Sequence, residues 1–193
     1  SRPTMARGDA AGWVNQLAHR NGFWRDTAQR LLVEAGDRRV VPALRTMVRE
    51  HADLLARLHA LWTLDGMGAA DTPTLQAALR DRESVIRAAA LRVAEPHLSD
   101  AAVRRAVLAL QDDPRPEVRR QLLFTLGEAN HAELDAARLA LLRREAALPG
   151  AVEAAVSGLK GREADVLETV LAAPEWAAER PGVARLLAAL AQA

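Results

Sequence analysis

The sequence predicts an all-α fold, an α-α superhelix of about six helix hairpins, on three observations. Composition is the first: 42 Ala and 29 Leu stand against one Ile and no Tyr in 193 residues, and only 3% of the chain is aromatic. Ala and Leu lead the helix propensities, whereas the β-branched and aromatic residues that strands favour are scarce. The second is an internal repeat. Segments beginning at Phe23, Leu55, Val85, Glu117, Ala151 and Val183 stack on one register, with reference positions 25, 57, 87, 119, 153 and 185; five of these are Arg. The third is the pattern around that register. In every copy the residue before it and the residue three after it are apolar, which is the stripe of an amphipathic helix.

Taken in order, the elements form helix pairs. Shorter amphipathic segments at about 11–19, 39–50, 72–80, 100–111, 133–146 and 163–172 each precede one of the stacked helices. After an N-terminal tail, 1–10, the units therefore run about 11–36, 37–68, 69–97, 98–130, 131–161 and 162–193, all within a single domain, 11–193. Gly36, Gly66, Gly68, Pro96, Gly127, Gly161 and Pro174 fall at or just beyond the ends of the second helices, as helix stops should. A hairpin of this size cannot bury an apolar face alone, so each must stack on its neighbours.

Two stretches carry a family resemblance: Asp81-Arg82-Glu83-Ser84-Val85-Ile86-Arg87-Ala88-Ala89-Ala90 and Asp113-Pro114-Arg115-Pro116-Glu117-Val118-Arg119. With the repeat they make residues 11–193 similar to the HEAT repeat family, including the short HEAT-like repeats of phycobilisome lyases. The resemblance implies that an Asp in the turn and an Arg six residues later build a ladder between neighbouring units. Asp81 with Arg87 and Asp113 with Arg119 match it, and Arg25 and Arg57 occupy the Arg position of the first two units. His19 and His51 replace Asp there, and the fifth unit has Ala147 with Glu153, so the ladder is expected to break at both ends.

With 100° per residue, positions one and five after the register point roughly 145–175° away from the apolar stripe. The expected concave, partner-binding face is thus Asp26, Arg30, Leu58, Trp62, Arg92, Arg120 and Phe124. Arg and aromatic residues alternate along the row Arg30, Trp62, Arg92, Phe124, at a separation that suits guanidinium on ring. Two readings stand side by side: a groove that grips a partner, or rings tilted into packing between units. Leu186 and Leu190 would be exposed on the same rows of the last helix. Asp26 and Arg30 are spaced for a surface ion pair, Trp13, Trp24 and Trp176 read as packing residues, and His59 reads as a helix-surface residue.

The chemistry that the sequence excludes narrows its function. The absence of Cys removes disulfides, thiolate zinc, a thiol nucleophile and covalent haem from these residues. No P-loop, nucleophile elbow, dinucleotide fingerprint or His pair with zinc-site spacing occurs, so no catalytic residue, metal or cofactor is assigned and the chain is expected not to be an enzyme. No uncharged stretch reaches 18 residues, so no membrane span is expected. A net charge of +1 argues against nucleic acid as a partner. The opening Ser1-Arg2-Pro3-Thr4-Met5 lacks a signal peptide and reads as the start of a fragment.

The segments His19–Leu32 and Ala56–Leu64, rich in Trp, Arg and Asp, also resemble the HEAT-repeat part of bacterial sorbosone- and sugar-dehydrogenase-like proteins that carry a c-type cytochrome domain, over about residues 12–95. That resemblance implies an exported, periplasmic parent whose chemistry lies outside this chain. The expected function is then a non-catalytic scaffold or docking domain for a protein or an adjacent domain of the same parent. The alternatives are a HEAT-like alkylpurine DNA glycosylase, for which Arg30, Trp62, Arg92 and Asp26 would serve, or a lyase-type chromophore chaperone.

Overall fold

The computed structural model describes residues 5–6, 8–159, 161–173, 176 and 182–192. Parts of the expected tail (1–4 and 7) and Pro174 lie outside the described residues. Among the described residues there are twelve α-helices and no strand, so the chain is all-α. The helices are α1 (Ala10–Gln16), α2 (Gly22–Ala35), α3 (Val41–Glu50), α4 (Leu54–Gly66), α5 (Thr72–Leu79), α6 (Ser84–Ala94), α7 (Ala101–Leu108), α8 (Pro116–Thr125), α9 (Ala132–Glu145), α10 (Ala151–Ser157), α11 (Glu163–Ala172) and α12 (Val183–Gln192). None is long and apolar enough to cross a membrane among the described residues. The chain divides into two compact units, Ser1–Val103 and Arg104–Ala193.

In the first unit, α1 packs on α2, α3 on α4 and α5 on α6, while α4 also packs on both α2 and α6 and α3 on α5. Local chemistry sets where these helices start. Asp9, Asn21, Asp53 and Asp71 each cap a helix by accepting backbone N–H bonds, and Pro42 and Pro73 sit in first turns, where no N–H is missed. Gly36 ends α2 in the left-handed region, φ 60°, donating its N–H to the Leu32 carbonyl. The apolar stripes then meet: Leu17, Leu32, Leu44, Leu61, Leu64, Leu75, Leu79, Ile86 and Leu91 are all buried. The Ala residues of the stripe, Ala28, Ala56, Ala60 and Ala90, are fully buried too, and their small size lets adjacent second helices approach closely.

In the second unit, α8 and α12 both pack on α10, α9 packs on α8 and α10, and α11 on α12. Gly127 and Gly158 meet backbone to backbone: a Cβ on Gly158 would lie 2.6 Å from the Gly127 Cα. Arg138, 2% exposed, is neutralised from within, its Nη2 donating to Asp135 at 2.8 Å and its Nη1 to the Gly158 carbonyl at 3.2 Å. Arg162 reaches the other oxygen of Asp135 at 2.7 Å. Trp13 and Trp176 are buried in their respective units.

Leu186 and Leu190 are buried, not exposed as the register implied. Ala154 in α10 and Gly158 just beyond its end, which take the outward positions of that copy, are buried as well. The Gly127–Gly158 contact brings the end of α10 against α8, and α10 and α12 present a different side to their neighbours than α2, α4 and α6 do.

Candidate functional site

The first unit holds five of the outward positions. Asp26, Arg30 and Arg92 are exposed, and Leu58 and Trp62 are half-buried. These residues share a helix face with a row that the sequence reading passed over, three residues upstream of the first outward position: Phe23, Leu55 and Val85, exposed at 65%, 40% and 45%. Each is the second residue of its helix, and α4 lies against both α2 and α6. The apolar line Leu55, Leu58, Trp62 along α4 is therefore flanked by Phe23 on one side and Val85 on the other. The signal was present in the repeat, because the first letter of each stacked segment is the residue concerned. Phe23 also packs edge-on to Trp24, centroids 5.2 Å apart, and Trp24, itself edge-on to His19, is half-buried rather than sealed in the core.

Beside Trp62 the face opens into a cleft of about 550 Å³ between α2 and α4, lined by Asp26, Gln29, Arg30, Val33, Trp62 and Asp65. Arg30 does not bridge to Asp26 as its spacing allowed. It pairs with Glu34 at 3.0 Å instead, and Asp26 lies 3.9 Å from His59 Nε2. The spacing allows either carboxylate, since both stand four residues from Arg30. His59 is no free surface residue: its Nδ1 sits 2.7 Å from Gln29 Oε1. Burial, and then the nearby Arg25 charge, hold its pKa below the ordinary histidine value, although Asp26 pulls the other way. Burial raises the Asp65 carboxyl, partly offset by His97. Carboxylates thus outnumber the one guanidinium in the cleft, and that guanidinium is already paired. This lining is unsuited to a phosphate backbone.

In the second unit Arg120 is exposed at the edge of a cleft of about 310 Å³ formed with Pro116, Glu117, Leu123 and Leu148, and Phe124 is 39% exposed. The position matching Phe23, Leu55 and Val85 holds Glu117, which does not extend the apolar row.

The Arg register has a defined geometry. Arg57, 3% exposed, donates from Nε and Nη2 to the two oxygens of Asp81 at 2.9 and 3.1 Å, and from Nη1 to the carbonyls of His51 and Ala52. Arg87 likewise donates Nη1 to the Asp81 carbonyl at 2.8 Å, and Arg119 donates to the Asp113 carbonyl at 2.7 Å. Within a hairpin, then, the Arg holds the turn through its backbone, and the carboxylate it grips comes from the next hairpin. Arg119 finds one where none was expected: Glu145, two residues before Ala147, accepts from its Nε and Nη2 at 2.8 and 3.0 Å. Burial opposes the Glu145 charge, but hydrogen bonds from Arg119 and Arg144 outweigh it and keep the carboxyl below the usual glutamate range.

Arg25 is different. Its Nη1 holds the carbonyls of His19 and Arg20, but its buried Nε has no partner. His51 stands where Asp would be, and its Nδ1 is taken by the N–H of Asp53 at 3.0 Å. Asp81 and Asp113 accept the same bond, from Glu83 and Arg115, and so does His19, from Asn21. Imidazole therefore reproduces the turn of the aspartates but not their grip on Arg. No group of three His, Asp or Glu side chains suited to a metal ion occurs among the described residues. Compared with known proteins, the chain matches no family model and no curated protein.

Proposed function

We propose that this chain is a non-catalytic helical-repeat docking module, a HEAT-like solenoid that holds an adjacent domain of its own parent protein against the face of α2, α4 and α6. The observation that carries the reading is the exposed apolar row Phe23, Leu55 and Val85, continued by Leu58 and Trp62 on one face of the first unit; the other exposed large apolar side chains among the described residues, Phe124 and Leu171, stand in the second unit. Contiguous apolar surface of this kind marks an interaction site more often than it marks chance exposure. Two features support the solenoid: side-by-side packing of α2, α4 and α6 in chain order, and the clamp of Arg57 on Asp81 of the following hairpin. The parent proposed is an exported, periplasmic dehydrogenase-type protein with a c-type cytochrome domain.

The test has two parts. The parent reading frame is expected to encode a signal peptide upstream and a Cys-x-x-Cys-His haem site downstream; a frame with neither removes the proposed parent. Independently, Phe23→Ser, Leu55→Ser and Val85→Ser together should weaken docking to the neighbouring domain by roughly tenfold or more, with the midpoint of urea unfolding nearly unchanged. Unfolding of the triple variant would show that the row is core, and unaltered docking would show that it is idle.

A further inference from the structure

A second concavity lies on the turn edge of the first unit, where the α3–α4 and α5–α6 turns enclose a polar cleft of about 420 Å³. Its floor is the Arg57–Asp81 pair, whose charges cancel. The His51 and Ala52 carbonyls, which would repel an anion, are already covered by Arg57, and Ala52 also accepts from Arg82 Nη2 at 3.2 Å. Asp53 is turned away from the cleft onto the N–H groups of Leu55 and Ala56. What remains at the mouth is Arg49, Arg80 and Arg82 against the single carboxylate of Glu50. Arg82 lies 3.7 Å from Glu83, but the exposed side chains of Arg49 and Arg80 make no hydrogen bond or ion pair among the described residues. Because Nδ1 of His51 accepts the Asp53 N–H, that ring carries its proton on Nε2, a further donor at the cleft wall.

We infer that this cleft binds an oxyanion of the phosphate class, gripped by Arg49 and Arg80. Guanidinium forks match phosphate oxygens two at a time, and a phosphate monoester carries about −1.5 to −2 charge, which suits the two guanidiniums of Arg49 and Arg80. The volume falls in the range of small-ligand sites and leaves room for the group that bears the phosphate. Arg49 lies in the last turn of α3 and Arg80 caps α5, so both also offset helix C-termini. A purely dipolar role would make them matter to stability and not to ligand. The site is separate from the docking row, and it stands whether or not that row binds a partner.

Isothermal titration of the full chain at low ionic strength tests this, with pyrophosphate as the free probe and a phosphoserine peptide as the protein-borne one. At least one probe should bind saturably below about 10 mM, and Arg49→Ala with Arg80→Ala should weaken it roughly tenfold, while Arg20→Ala, a similar change outside the cleft, leaves it intact. Preference for pyrophosphate would assign a free ligand, and preference for the peptide would assign a phosphorylated partner. No saturable binding of either probe, equal loss in the Arg20 variant, or a double variant that loses stability but not affinity would each overturn the proposal.

Discussion

Arg25 and Arg57 share a register position and differ in the acceptor that faces them. Asp81 completes Arg57, whereas His51 leaves the Nε of Arg25 buried and unbonded. His51→Asp should therefore raise stability by about 1–3 kcal/mol in urea denaturation, because a carboxylate there both keeps the turn bond and gives Arg25 a charged acceptor. A change near zero would mean that Arg25 is not presented as Arg57 is. Asp81→Ala should cost about 3–5 kcal/mol, since it strands a buried guanidinium. A loss under about 1 kcal/mol would show that solvent already screens the pair. His59 gives a pH dependence of opposite origin. Its folded pKa is depressed, so the unfolded chain takes up the proton first; stability is complete above about pH 6.5 and declines as pH falls from there toward the folded value. His59→Gln should flatten the fall in urea midpoint between about pH 7.5 and 5.5, and an unaltered slope would exclude His59 as its source. The Arg register was legible because it recurs. Glu145 was not, because its reach into the clamp depends on where α9 stops, and the Arg30 partner depended on a rotamer choice between two equally spaced carboxylates.

At the level of helices, the contact between Gly127 and Gly158 leaves no space for a side chain on either. Gly127→Ala or Gly158→Ala should cost about 1–3 kcal/mol or more, read from thermal unfolding, because backbone rather than a flexible side chain meets the new methyl. A neutral effect would mean that the helices separate freely at this crossing. The existence of the helices and their approximate ends were readable from periodicity, caps and Gly or Pro stops, as for α3 at Val41–Glu50 and α11 at Glu163–Ala172. Their rotation was not. A stripe of small Ala residues constrains the facing direction loosely, and a seven-residue helix such as α10 can turn to suit a close backbone contact. That is why Leu186 and Leu190, outward by counting, are buried.

Across the molecule, each hairpin of the first unit packs on its sequence neighbours. Loosening one joint should then spread to adjacent hairpins before distant ones. In Asp81→Ala, amide hydrogen exchange is expected to rise in α3 to α6 while α9 to α12 keep their protection; a uniform rise would point to all-or-none coupling instead. The all-α class was plain from composition, and the apolar row was available in the same stacked segments that revealed the repeat. It was missed because exposure at the first turn of a helix depends on how far the neighbouring turn extends, which periodicity does not encode. The histidine-bearing turns carry one more implication. His and Asp codons differ at a single base, and both side chains accept the N–H that shapes the bend. One nucleotide can thus tighten or loosen the adhesion between successive hairpins of the first unit without reshaping their turns, so that the stiffness of that unit is open to inheritance in small steps.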